Sequence, residues 1–238
     1  MKDKEIIICS MGLKAGHITF ETLAALKTCR SVYTSMSDSR LNSFIGSFCR
    51  DIAVDAAASP EATVDAALRQ LKKGSPLAFL TYGNPFFLNK PALLLREKAL
   101  AQGIKVQVLE GVSSIDSLFN MLLLAEDGGY DVRLVNVGEY DRGPRLQTGI
   151  DTLYFMVGGG SERHAANIKK FLADLQKLYP ADFPAALVNC PNAQLPAGRV
   201  VDTTVGELGK DLARADKATT LFIRRLQAPV RRPAKRRS

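Results

Sequence analysis

The 238-residue chain has no tryptophan, only two histidines (His17 and His164) and four cysteines spread over positions 9, 29, 49 and 190. No C-x-x-C pair occurs, and two histidines cannot complete a structural zinc set with cysteines so far apart in sequence. The thiols are expected to be reduced and mostly buried, as in a cytosolic protein. The chain carries no H-E-x-x-H and no G-x-S-x-G, and neither histidine suggests a nucleophile triad, so the common hydrolase signatures are missing. No apolar run approaches the ~18 residues of a membrane span, and four apolar residues near the start are too few for a signal-peptide core. These features predict a soluble, cytoplasmic protein without a metal or membrane partner. The net charge of +8 is unevenly placed. Arg224, Arg225, Arg231, Arg232, Lys235, Arg236 and Arg237 sit in the last fifteen residues without an acid among them, which leaves the body near neutral. A basic tail on a neutral body, without interleaved aromatics, argues against nucleic acid as the partner.

What is present is a globular composition, 46% hydrophobic, and a strand–helix alternation. Ile6-Ile7-Ile8-Cys9 is a continuous β-branched run, the pattern of a strand buried on both faces of a parallel sheet. A helix is predicted over 19–28 with Leu23, Leu26 and Cys29 inward, then strands at 31–34, 76–82 and 105–109. Helices fall at 60–71, at 91–102 and, entered from the turn Glu110–Ser114, on to about Ala125. The later chain reads as strands at 153–157, 185–188, 199–203 and 220–223, with a long helix over 165–178. The expected architecture is α/β and two-lobed: a parallel N-terminal lobe over 1–122, a smaller α/β lobe over 123–225, and a disordered basic tail over 226–238. In open α/β sheets ligands bind beyond the carboxyl ends of the strands. Three polar glycine turns fall there: Ser10–Gly12, Tyr82–Pro85 and Gly111–Ser114. Taken singly they are weak signals, because a turn is usually only a turn and Ser113 or Ser114 would cap any helix. His17, in the first turn, is a candidate for a ligand-side role, whereas His164, at the start of an amphipathic helix, is expected to be solvated.

Taken in order, the segments Ile6–Gly12, Thr19–Leu23, Gly74–Pro85 and Gly103–Ser114 resemble the tetrapyrrole methylase superfamily of S-adenosylmethionine-dependent methyltransferases. Within it, Gly16-His17-Ile18-Thr19-Phe20-Glu21-Thr22-Leu23, Tyr82-Gly83-Asn84-Pro85 and Gly111-Val112-Ser113-Ser114-Ile115-Asp116 are most similar to the borosin peptide backbone N-methyltransferases, over roughly residues 5–225. The resemblance implies S-adenosylmethionine between the lobes, touched by Gly12, Tyr82, Asn84, Phe87, Ser113, Ser114, Met156, Asn189 and Thr220. It also implies a homodimer. The sequence departs from the pattern where Ser10 stands for a usual glycine. It departs again where Ala53–Thr63 holds none of the tyrosines that borosins carry, and no substrate segment is fused, so a peptide substrate would be a separate chain.

An amide nitrogen needs a base or a polarised carbonyl before it accepts a methyl group. Tyr82, Tyr33 and Arg40 are the candidates, with Tyr82 first. Arg142, Arg145, Arg163 and Lys169 are candidates for the substrate side. Three activities stay open at this point: methylation of a separate peptide, C-methylation of a tetrapyrrole or other small metabolite, and cofactor or partner binding without catalysis.

Overall fold

A computed structural model describes residues 4–36, 39–55, 59–124, 131–143 and 145–226, with 39–41 as backbone alone. The chain forms two units. One comprises Met1–Ser117 with Pro191–Pro196, the other Leu118–Cys190 with Ala197–Ser238.

The first unit is built on a five-stranded parallel sheet of order β3-β2-β4-β1-β5, comprising β1 (Glu5–Ser10), β2 (Ser31–Thr34), β3 (Ile52–Val54), β4 (Leu77–Thr81) and β5 (Lys105–Val108). Side chains alternate across a strand, and here both sides are covered. Ile6 and Ile8 join Tyr33, Phe79 and residues of α3 (Pro60–Lys73) and α4 (Lys90–Ala101) in one core. Ile7 and Cys9 join Val32, Ala78, Leu80 and residues of α1 (Phe20–Thr28) and α2 (Ser39–Gly46) in another. That two-sided burial is why β1 reads as an unbroken apolar run. Thr19 caps α1 and Ser59 caps α3, each accepting the N–H three residues on.

The helix α1 turns slightly from its expected face: Thr22 and Leu26 are buried, with Leu23 half-buried. Thr22 is accommodated inside because its hydroxyl is hydrogen-bonded to Thr19 Oγ1 at 3.1 Å. β3 and α2, absent from the sequence expectation, fill the stretch before α3.

The second unit carries a mixed sheet of order β6-β7-β10-β8-β9. Its strands are β6 (Val132–Asn136), β7 (Asp151–Phe155), β8 (Pro184–Asn189), β9 (Arg199–Thr204) and β10 (Thr219–Ile223). β6 and β7 are parallel, and the pairs of β10 with β7, β10 with β8, and β8 with β9 are antiparallel. The helix α5 (Ser114–Leu122) leads into this unit, and α6 (Glu162–Leu178) buries Phe171 and Leu175 against Tyr140, Tyr154 and Leu221. A short α7 (Leu208–Asp211) precedes β10. The α/β architecture with a parallel first sheet and a second sheet is the expected one, and the second sheet matches the first in having five strands.

All four cysteines are buried and none forms a disulfide, and burial pushes their thiols up, Cys190 to about 11 and Cys29 to about 12. His164 is buried, not solvated. Gly160 and Gly138 lack side chains and leave room for its imidazole: a Cβ on Gly160 would fall 2.6 Å from His164 Cγ, and one on Gly138 3.3 Å from Nδ1. No described helix is long and apolar enough to cross a membrane.

Candidate functional site

The carboxyl ends of β1, β4 and β5 bring the three glycine turns of the first unit together. After β1, Ser10 Oγ accepts the Gly12 N–H at 2.9 Å, and Met11 N–H donates to Thr81 O at 3.1 Å. Gly12 and Gly83 both adopt left-handed backbone, φ +72° and +65°, and Gly83 N–H donates to Gly12 O at 3.1 Å. The third turn packs directly on the first two, since a Cβ on Gly111 would lie 2.5 Å from Ser10 Cβ and 3.1 Å from Gly83 O. Only a residue without a side chain allows this approach.

Around these turns stand the residues expected to meet a ligand. The ring of Tyr82, directly after β4, is 46% exposed. Asn84 Oδ1 accepts the N–H groups of Phe86 and Phe87 at 2.9 and 3.0 Å, so its oxygen shapes the turn and its amide group remains on the surface. Phe87 is half-buried. Ser113 is buried as the cap of α5: its Oγ accepts the Ile115 N–H at 3.2 Å. The Asp116 carboxylate reaches back to Ser113 N–H at 2.6 Å and Ser113 Oγ at 2.8 Å. This is a capping box, which Ser-x-x-Asp spells in sequence. Ser114 opens the helix.

Of the residues considered for catalysis, Tyr33 lies inside the sheet, stacked on Phe79 with centroids 5.7 Å apart. Burial and the nearby Asp55 carboxylate push its phenol up to about 12. Arg40 falls in α2, and its side chain lies outside the described residues.

In the second unit Met156, Asn189 and Thr220 share one end of the sheet. The carboxyl ends of β7 and β8 flank the start of β10, with Asn189 in register with Thr219 and Thr220 with Val188. Met156 follows β7 in left-handed backbone at φ +59°, uncommon for a side-chain-bearing residue. The next glycine, Gly158, is held against Ala215–Asp216 so closely that a Cβ would lie 2.5 Å from Ala215 O. Asn189 Nδ2 donates to Thr219 Oγ1 at 3.0 Å and Asp216 Oδ1 at 3.2 Å, and Thr220 is buried. Arg163 is ion-paired with Asp141 at 2.9 Å and with Glu139 at 3.4 Å, and Arg142 with Glu139 at 3.4 Å. Arg145 borders a separate surface groove of about 380 Å³ with Tyr140, Lys170, Asp174 and Lys177. The basic tail beyond Leu226 lies outside the described residues.

The family described as Tetrapyrrole (Corrin/Porphyrin) Methylases matches residues 5–209. The chain belongs to this family. As a tetrapyrrole methylase it is a methyltransferase by kind. The uroporphyrin-III C-methyltransferase of Thermus thermophilus is similar in structure, with a TM-score of 0.70 at 16% identity over 94% of this chain and 93% of that one. A structure of that enzyme complexed with S-adenosyl homocysteine gives 0.68 at 18% identity, over 92% and 96%. Cobalt precorrin-4 methyltransferase gives 0.66 at 16%, over 92% and 94%. At these identities the likeness is one of fold. No curated protein matches the chain.

Sequence reasoning found the three turns but missed Asp116, whose carboxylate both closes the α5 cap and acts on His17. The Ser-x-x-Asp spacing at 113–116 was the available signal. For the burial of His164 the nearest sequence signal was Gly160, four residues before it.

Proposed function

We propose that the chain methylates backbone amide nitrogens of a separate peptide, with S-adenosylmethionine as methyl donor. Methyl transfer from that donor is the activity of the family to which the chain belongs, and the donor supplies an electrophilic methyl group on a sulfonium. The residues at the turns suit such a ligand. Gly12, Gly83 and Gly111 let the backbone of three strands end in one close-packed edge, with the exposed Tyr82 ring and the half-buried Phe87 beside it. Backbone polar groups next to aromatic surface are what an adenosyl group needs. On this reading the donor is held by Tyr82, Asn84, Phe87, Ser113 and Ser114, and the resemblance adds Met156, Asn189 and Thr220. The homodimer implied by the resemblance is part of the same reading.

The observation that carries the reading is this three-turn edge in a chain matched to the methylases over residues 5–209. The peptide acceptor is supported by the borosin-like segments around Gly16–Leu23, Tyr82–Pro85 and Gly111–Asp116. A second reading, C-methylation of a tetrapyrrole, is favoured by the activities of the similar solved enzymes. The enzyme is incubated with trideuteriomethyl-labelled S-adenosylmethionine and, separately, a randomised library of synthetic decapeptides and uroporphyrinogen III. Label on backbone nitrogen, located by fragmentation mass spectrometry, supports the peptide reading. Label on the macrocycle alone replaces it with the second. Calorimetric binding of S-adenosylhomocysteine with transfer to neither acceptor overturns both and leaves a binding protein.

A further inference from the structure

His17 is left without a task by the reading above, yet it stands on the edge where the turns meet. It closes a short 3-10 turn, Ala15–His17, and its backbone N–H donates to Lys14 O at 2.8 Å. Its side chain is pressed on the first glycine turn: a Cβ on Gly12 would fall 2.3 Å from His17 Cβ. The residue is half-buried. Nδ1 is shut away from solvent with no hydrogen-bond partner among the described residues, so the ring's other edge is the one that a ligand can meet.

Three influences act on the ring. Burial, the largest, disfavours the imidazolium, and the Lys14 ammonium adds to this. The Asp116 carboxylate opposes them. The sum lies below the ordinary histidine value, so at neutral pH the ring is the free base. Lys14 is tethered, its Nζ donating to Pro196 O at 3.2 Å, and Asp116 is fixed by its two bonds to Ser113. Tyr33, pushed up to about 12, holds its proton in the same pH range.

We propose that His17 is the general base of the transfer, its outward nitrogen taking the amide proton of the peptide acceptor. The inference rests on the peptide reading, since a carbon acceptor in a pyrrole ring asks less of a base. The balance is simple. The new nitrogen–carbon bond forms as the carbon–sulfur bond of the donor breaks, its electron pair returning to sulfur. The amide proton ends on His17, and the imidazolium then releases it to water. The Asp116 charge favours the imidazolium that appears during transfer.

The test compares wild type with His17→Gln and His17→Ala on the labelled decapeptide library. With only two histidines, ¹⁵N-histidine NMR reads the titration of each, His164→Gln giving the assignment. S-adenosylhomocysteine affinity, measured by calorimetry, is expected to stay within about twofold in both His17 variants, since the ring serves the acceptor. Transfer is expected to fall by about 10²–10⁴-fold. The acidic limb of the wild-type pH–rate profile is expected to coincide with the NMR titration of His17, and added imidazole to restore part of the activity in His17→Ala. Variants that keep more than a tenth of the activity overturn the assignment, as does an acidic limb that ignores the His17 titration. A wild type that binds S-adenosylhomocysteine but methylates no peptide removes the peptide reading itself, and this assignment with it.

Discussion

Replacing Gly111 with alanine sets a methyl group 2.5 Å from Ser10 Cβ, 2.8 Å from Ser10 Oγ and 3.1 Å from Gly83 O. Carbon atoms in contact stand about 3.5–4.0 Å apart, so the first of these falls short by about 1 Å. The obstruction is the stub of a side chain that is itself fully buried and bonded to Gly12 N–H, so it has no open space to swing into. Forced overpacking of this kind costs about 1–3 kcal/mol. Taking about 2 kcal/mol, and a shift of about 2–4 °C per kcal/mol for a chain of this length, the melting temperature is expected to fall by about 4–8 °C. Gly16→Ala is the control, since a Cβ there meets nothing within 4 Å, and its melting temperature is expected to stay within about 2 °C of wild type. Ser10→Gly removes the obstructing carbon. On that background Gly111→Ala is expected to cost less than half of what it costs in wild type, a coupling of at least about 1 kcal/mol. Scanning calorimetry of the four variants and wild type decides the matter. A Gly111→Ala protein that melts with wild type, or one whose loss is unchanged by Ser10→Gly, would refute the close packing of the three turns.

Tyr82→Ala is expected to weaken S-adenosylhomocysteine by about tenfold or more while moving stability by no more than about 0.5 kcal/mol, because the ring is half exposed; calorimetry and melting measure the two separately. Asp116→Ala removes the reciprocal bonds of the α5 cap, for about 1 kcal/mol of stability in denaturant unfolding. The same substitution should lower the His17 pKa further in ¹⁵N NMR, since the Asp116 charge is what raises it. Because His17 titrates lower folded than unfolded, the unfolded chain binds the extra proton first on acidification. Stability therefore declines as pH drops from about 6.5 towards the folded value, and His17→Gln should flatten that slope in pH-dependent melts. The four buried thiols should react with Ellman's reagent at pH 8 only when the chain is unfolded; fast labelling of the native protein would contradict their burial.

The elements that were legible in the sequence are those whose residues face a core on a regular period. β1 and β4 are buried on both faces and read as apolar runs, and α3 announces itself with Ser59, Pro60 and a regular stripe. β3 was not legible because three residues between Asp51 and Asp55 carry no period. β6 was hidden because Arg133 and Asn136 interrupt it, and an edge strand tolerates such residues. At the site, glycine and serine spacing marked all three turns. What spacing does not carry is distance: that Ser10 fills the space Gly111 leaves, that Asn84 turns its oxygen back on its own loop, and that Asp116 lies where its charge reaches His17.

The strand order of the two sheets also bears on how the protein is made. The parallel sheet has all its strands once Val108 has been added, whereas the mixed sheet has β10, residues 219–223, at its centre between β7 and β8. Those two strands are pieces of a sheet that has no middle until nearly the whole chain exists. At synthesis rates of about 5–20 residues per second, the stretch from Val108 to Ile223 takes roughly 6–23 s. During that time the newborn chain holds a finished first sheet and a second with unpaired strand edges, the kind of surface on which chains aggregate. A ribosome that stalls before Thr219 therefore leaves a half-folded product needing protection, while one that stalls just after β5 leaves a first sheet whose strands are all present.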